Sequence, residues 1–444
     1  MGFPKASSET GRHGPVEHAP DVRRTGRRRV PGFEPLEDRA VLSSFLVTNT
    51  MDNLPGQPLI DGSLRRAVVL SSSTAGHNQI RFDPAVRGTI TLTGGELMIA
   101  GNDVDIAGPG AGRLSVSGNN SDRVFEIDGV RAAIGGLTIA GGDSDASGGG
   151  ILNRAGTVAI TACTIDGNVA DFGGGIANAG GTMTISGCTI RGNAGELAIG
   201  GIDNAGGTMT IIGSTIDGNT STGGGGGLTN RGGSVMISGS TISGNQTGSS
   251  GGGISNGTGG TGGTMTISAC TIIDNRCSSG VGGGLVNLGS MRIMSSTIAG
   301  NSSDSDGGGV GNTNGTMMII GGVIRDNTAV GDGGGLRNLG GGVTIIGGVI
   351  RDNEAHRGGG IASLGVSGSM TIIATSIEGN TAADGSRALG GGIYNDAGII
   401  VITSTRIRRN SATRGGGIAY VGDAPTLRAS DVSGNAGGDI AAIQ

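Results

Sequence analysis

The chain has no tryptophan, two tyrosines and six phenylalanines in 444 residues. A core of packed aromatic rings is excluded, so any interior must be built from aliphatic side chains. Charge is also scarce. Only 15% of residues are charged and the formal net charge is −5, which leaves no electrostatic footprint for nucleic acid. Most of the surface must then be Ser, Thr, Asn and Gly, a composition common outside cells. Four cysteines are too few for a disulfide framework. No apolar run reaches the length of a membrane span, and the apolar stretch of a conventional signal peptide is missing.

Glycine is abundant instead, with 98 copies. Collagen would need one at every third position, and a disordered glycine-rich chain would lack regular Ile, Val and Met. The glycines here recur in a motif, Gly173-Gly174-Gly175-Ile176-Ala177-Asn178, seen again at Gly225–Asn230 and Gly333–Asn338. A second mark travels with it, an asparagine at 168, 193, 219, 245, 275, 301, 327, 353, 380, 410 and 435, in steps of 25, 26, 26, 30, 26, 26, 26, 27, 30 and 25. A period of about 26 residues with strand-like contents and no helix pattern inside it marks a solenoid.

Three regions follow. Residues 1–44 hold Pro4, Pro15, Pro20, Pro31 and Pro35 and a basic cluster, Arg23, Arg24, Arg27, Arg28 and Arg29; this composition cannot bury a core and reads as a disordered basic leader. Residues 45–147 form an N-terminal cap and irregular coils. Within them, Asp61–Leu70 predicts a short amphipathic helix capped by Asp61 or Ser63, with Leu64, Ala67 and Val68 on one stripe, laid over the open end of the solenoid. Residues 148–444 carry the regular repeats, with three strand-like pieces per period. In the second piece Met183, Met209, Val235, Met265, Met291, Met317, Val343 and Met370 share one position, and the residue two later is always Ile; period-two alternation points both columns inward. The expected fold is all-β, a right-handed parallel β-helix of about eleven regular coils plus irregular N-terminal coils and a capping helix. After Asn435, Ala436–Ile440 reads as the start of another coil, so the last coil is expected to expose an edge for end-to-end association.

Asparagines at a repeated corner can donate to one neighbouring coil and accept from the other, and eleven copies exceed what a ligand site needs; a structural ladder is predicted. Cys163 and Cys188 hold the same repeat position in consecutive coils, which lie about 4.8 Å apart, so a bridge is geometrically conceivable. Cys270 shares that position with Ser214, Ser240 and Ser296, which favours a small buried residue over a bridge. Cys277 is expected in a loop as a free thiol.

The Gly-Gly-Gly-Ile and x-x-Gly-Asn pairing resembles the Gly-Gly-Ala-Ile and Phe-x-x-Asn repeats of polymorphic outer membrane proteins. Asp61–Val69 looks like the Cys-Ser-Leu-Arg-Glu-Ala-Ile element of many bacterial surface proteins, with Gly62 in place of its cysteine and Arg66 in place of its glutamate. Phe33–Ser43 is similar to a Leu-Glu-x-Arg-x-x-Leu-Ser element near the start of large exported bacterial proteins, which implies an export or sorting role. Together these resemblances imply a secreted or surface-displayed β-helix, often adhesive or structural, with pectate-lyase-like folds as wider relatives. No membrane barrel follows the repeats in this sequence, so self-anchoring in an outer membrane is not expected.

Enzymes of this architecture that cut acidic polysaccharides use carboxylates on adjacent coils, with Ca²⁺ and an Arg or Lys base in lyases. The best such candidate is Arg325, Asp326, Arg351, Asp352, Glu354, His356 and Arg357, within a duplicated Ile-Ile-Gly-Gly-Val-Ile-Arg-Asp-Asn segment; duplication explains the pairing without catalysis. Asp143, Asp145, Asp304 and Asp306 lie in Gly/Ser stretches without Ca²⁺-loop spacing and read as solvated loops. Thr182/Thr184, Thr208/Thr210 and Thr264/Thr266 suggest a flat threonine face for ice or a crystalline surface, but the column is interrupted at Met236, Arg292 and Met318. No catalytic, cofactor-binding or metal-binding residue is assigned. The expectation is a non-enzymatic, exported or surface-associated structural or adhesive rod whose partners are extracellular glycans or cell-envelope components; the alternative is a polysaccharide lyase or hydrolase.

Overall fold

The computed structural model describes residues 43–383 and 385–443. The basic cluster and nearly all of the Phe33–Ser43 element lie outside them. The described residues form an all-β parallel solenoid built from four sheets of fifteen, fourteen, fourteen and ten strands, with one α-helix. One coil shows the plan. Ile176–Ala179 contributes to sheet I, Thr182–Ser186 to sheet II, Thr189–Arg191 to sheet III and Ala194–Ile199 to sheet IV. Each strand pairs in parallel with its counterpart one period on, so Thr182, Met183 and Ile185 sit beside Thr208, Met209 and Ile211. Met183 and Ile185 are fully buried, as are Ile176 and Ile190 from the other faces. At about 4.8 Å per coil, fourteen coils make a rod on the order of 67 Å long.

Sheet IV is a correction, since the repeat predicts three strands per coil. Its strands are as short as two residues, Thr220–Ser221 or Gln246–Thr247, and show no alternation to read. They fold back over the outer side of sheet I. As a result the outward column of sheet I, including Ala177, Asp203, Thr229 and Val286, is buried in a second, smaller core. The early coils also carry strands at Arg131–Gly135 and Asp143–Ser147, beyond those the sequence pattern marks.

The helix spans Leu64–Ser73. Ser63 is its cap and accepts the Arg66 N–H at 3.2 Å, while Asp61 pairs with the Arg66 side chain at the surface. Leu64, Ala67, Val68 and Ser71 face inward. The helix packs on Ser43–Val47, Asn78–Phe82 and Leu97–Ala100, and so covers apolar surface of the first coils. No helix among the described residues is long and apolar enough to cross a membrane.

The marker asparagines form the predicted ladder inside the corner between sheets III and IV. Asn193 donates its backbone N–H and its amide to Asn219 Oδ1 at 3.0 and 2.9 Å, and donates a second amide hydrogen to Ile165 O at 3.1 Å. The pattern runs from Asn168 to Asn435, whose own amide donates to Asp439. Each link satisfies a backbone donor, a backbone carbonyl and a side-chain amide that water cannot reach. The residue before each asparagine adopts a left-handed conformation, as at Gly192 (φ 59°) and Gly218 (φ 60°).

The asparagine of the Gly-Gly-Gly-Ile motif builds a second ladder at the corner between sheets I and II. Asn178 donates to Asn204 Oδ1 at 2.8 Å and to Gly181 O at 2.9 Å, and the series continues from Asn153 to Asn338. It stops at Ser363. Ser363 Oγ and Asn395 Oδ1 are both fully buried and have no hydrogen-bond partner among the described residues.

All four cysteines are free thiols and buried. Cys163 and Cys188 are neighbours in the hydroxyl column, where Ser214 Oγ accepts the Cys188 N–H at 3.1 Å and Ser240 Oγ accepts the Ser214 N–H at 3.1 Å. Cys277 is not in a loop; it lies in the two-residue strand Arg276–Cys277, and its thiol donates to Gly280 O at 3.0 Å.

Three outcomes follow from this interior. Asn245→Ala removes the acceptor for Asn219 and the donor to Ile216 O, and is expected to cost about 3 kcal/mol or more, read as a lower urea midpoint. Ser363→Asn supplies the missing link and is expected to raise stability by about 1 kcal/mol in the same measurement. Burial pushes the Cys163 thiol from 9.0 to about 12. In that window the folded chain holds a proton that the unfolded chain has lost, so stability is intact below pH 9.0 and falls as pH rises toward about 12. The urea midpoint should decline less steeply over this range in Cys163→Ser.

Candidate functional site

The seven candidate residues around Asp352 do not form one constellation. Arg325 and Arg351 are in-register neighbours on the outside of sheet III, followed by Glu378. Asp326 and Asp352 occupy the left-handed corner before the ladder asparagine, with φ of 56° and 54°, where most coils use glycine. A short polar side chain tolerates that conformation. Each pairs with the arginine preceding it in its own coil. These four residues are a corner device with its charge neutralised.

Glu354, His356 and Arg357 lie past the ladder, on sheet IV and the loop after it. Glu354 stacks between Thr328 and Thr381 on the outer face. Arg357 makes a two-pronged pair with Asp332 at 2.8 and 2.6 Å, stacks 4.8 Å over the Tyr394 ring and donates to its hydroxyl at 3.2 Å. The Asp332 hydrogen bond and charge push the Arg357 guanidinium up, while burial pushes the Tyr394 phenol up. Asp332 and Tyr394 carry no sequence signal of this contact, because they sit 25 and 37 residues from Arg357 and meet it only through stacking.

The loop aspartates fare differently from a solvated reading. Asp304 pairs with Arg276 at 2.6 Å; Asp306 pairs with Arg337 and accepts the Asp332 N–H at 2.8 Å. Asp143 lies in the strand Asp143–Ser147. Among the described residues, no group of three or more His, Cys, Asp or Glu is placed to hold a metal ion. The threonine pairs do point outward from sheet II, and Met236, Arg292 and Met318 interrupt the same in-register row.

What sequence reasoning missed is a line of recesses along sheet IV and its flanking loops. The first, about 440 Å³, is walled by Asn120, Ser121, Asp122, Asp143, Ser144 and Asp145. The next, about 200 Å³, is lined by Thr220, Ser221, Gln246, Thr247 and Arg276. A third of about 520 Å³ follows over Thr328, Val330, Glu354 and His356. A fourth of about 490 Å³ shares His356 and adds Arg357, Arg387, Leu389 and Arg414. The seam therefore runs along the rod from an acidic end, through hydroxyls and amides, to a basic end. Nine strand spacings from the first to the last strand of sheet IV make it on the order of 43 Å long.

Each end is pinned by buried charge. At the acidic end Arg123 bridges Glu96 and Glu126, and also donates to Gly148 O at 3.0 Å and Ser144 Oγ at 3.2 Å, tying sheet IV to sheet I. Burial raises the Glu96 carboxyl while Arg123 pulls it back. Nearer the middle, the Arg231 guanidinium is paired with buried Asp203 and lies 4.9 Å over Phe172. At the basic end Asp332, Arg357, Leu389 and Arg414 are neighbours through successive parallel bridges. One of the two 30-residue periods delivers Arg387 here, on the short turn Gly385–Arg387.

No protein-family model matches the chain, and no curated protein matches it. The resemblance to polymorphic outer membrane repeats accordingly rests on its motifs. Among solved structures the chain is similar to the crystal structure of the Dettilon tailspike protein, at 13% identity and a TM-score of 0.35, over 78% of this chain and 66% of that one.

Proposed function

We propose that this protein is an exported, surface-associated rod that holds an extended extracellular glycan or envelope polymer along the sheet IV seam without cleaving it. The observation that carries this reading is the alignment of the recesses in one polar line parallel to the rod axis. A chain-like ligand suits several shallow recesses in series better than a small molecule, which is normally enclosed in one deep pocket. Gln246, Arg276 and the hydroxyls of Thr220 and Thr247 offer the donors and acceptors that sugars use.

The absence of cleavage is argued from how the carboxylates are used. Glu96 and Glu126 are bridged by Arg123, and Asp326 and Asp352 are held by arginines of their own coils. A carboxylate engaged by a guanidinium in this way holds the fold together and is not presented to a ligand for proton transfer.

Calorimetric titration with neutral, uronic-acid and sulfated polysaccharides tests the reading. Binding is expected for at least one, weakened about tenfold in the double variant Gln246→Ala with Arg276→Ala, the loss of one or two hydrogen bonds. No titration signal with any of them would remove the proposal. Unsaturated or reducing-end products that vanish in Asp143→Asn or Asp352→Ala would establish a lyase or hydrolase instead.

A further inference from the structure

The outer face of sheet II differs from every other surface of the rod. Ten of its strands, from Thr157–Thr161 to Ile399–Thr403, present three outward positions each, thirty in all, and Arg292 is the single charged side chain among them. In its second half this face turns apolar. Met294, Ile320, Ile346 and Ile373 stand in one row on consecutive strands, in register, with Met318 alongside. None of the recesses described above lies on it. A parallel sheet is ordinarily covered on both faces, and here only the inner face is.

We propose that two copies of this chain associate through the outer face of sheet II, running in opposite directions about a two-fold axis that passes between Ile320 and Ile346. Three features select a second copy in this register. First, a face-to-face two-fold perpendicular to the rod lays the apolar row on itself, with Ile320 against Ile346 of the other copy and Met294 against Ile373. A two-fold parallel to the rod would instead set this row against the outward row of Ser290, Thr316, Gly342 and Ser369. Second, the ridges of both copies repeat at the same spacing of about 4.8 Å, so the ridge-on-ridge apposition set by Ile320 and Ile346 is kept at every strand of the overlap. Third, the reversed arrangement overlaps eight strands, from Ser234–Ser238 to Thr426–Arg428. That is about 38 by 16 Å, or roughly 1,200 Å² in total, the lower end of stable interfaces. The two charges inside the overlap are accommodated: Arg428, beside Thr403 on the last overlapped strand, meets Ser238 of the other copy at the rim of the interface. Arg292 lies against the sulfurs of Met294 and Met318, at 3.1 and 3.3 Å, and meets Thr371 of the other copy rather than its own counterpart.

Sedimentation of the full chain between about 1 and 100 µM tests this, since an interface of this size supports micromolar or tighter association. The expected result is a monomer–dimer equilibrium. Ile320→Glu and Ile346→Lys, both outward and outside the core, should each give a monomer with unchanged circular dichroism. Mixing those two variants should restore the dimer, because the reversed register sets the introduced carboxylate of one beside the introduced ammonium of the other. A wild-type chain that stays monomeric at about 100 µM, a dimer that survives both substitutions, or a mixture that fails to recover would each overturn the proposal. Glycan titration of the same variants should be unchanged, since the seam lies on a different sheet, so failure of one reading leaves the other standing.

Discussion

A side-chain amide sealed inside the wall of a protein must find all its partners there, and this requirement governs the rod. Each ladder asparagine takes two donors from the coil before it and gives its own hydrogens to the coils on either side. The amide can do so only if every coil has the same height and the same corner. Slippage by one residue would leave several buried polar groups unpaired at once, at about 1–3 kcal/mol each. The aliphatic columns supply the bulk of the burial, yet apolar packing is tolerant of small shifts. Register is fixed by the amides, and with it the alignment of every outward row.

The seam along sheet IV solves a different problem. Strands of two residues bring little apolar surface with them, so the arms are held down by paired charges: Arg123 between two glutamates, Arg231 on Asp203, and Arg357 on Asp332 and Tyr394. Such pairs contribute little net stability but are costly to break one-sidedly. They therefore define where each arm sits. The recesses lie between these points, on a scaffold that two corner ladders hold in place.

The regular part of the fold was legible because it repeats. Met183 and Ile185 recur with their counterparts at fixed offsets, and alternation alone gives their direction. The marker asparagines are equally plain, and their ladder forms as predicted. What was hidden depends on contacts that repeat weakly or not at all. The fourth strand has no periodic signature within two residues. The asparagine of the second ladder is visible in the Gly-Gly-Gly-Ile motif, but its interruption at Ser363 has no meaning until Asn338 and Asn395 are known to flank it. The acidic and basic ends of the seam come from single residues scattered along the chain between Asp122 and Arg414. In the sequence Asp326 and Asp352 read as a product of duplication, but that they serve a left-handed backbone corner shows only in the fold.

The nine residues Ile-Ile-Gly-Gly-Val-Ile-Arg-Asp-Asn recur unchanged at 319–327 and 345–353, one whole coil apart and superimposed in register. A structure closed coil by coil can gain or lose such a unit without rotating any face relative to the others. Its length is therefore a counted quantity, adjustable in steps of about 4.8 Å, and the separation between the two charged ends of the seam behaves as a ruler whose graduations are the coils themselves.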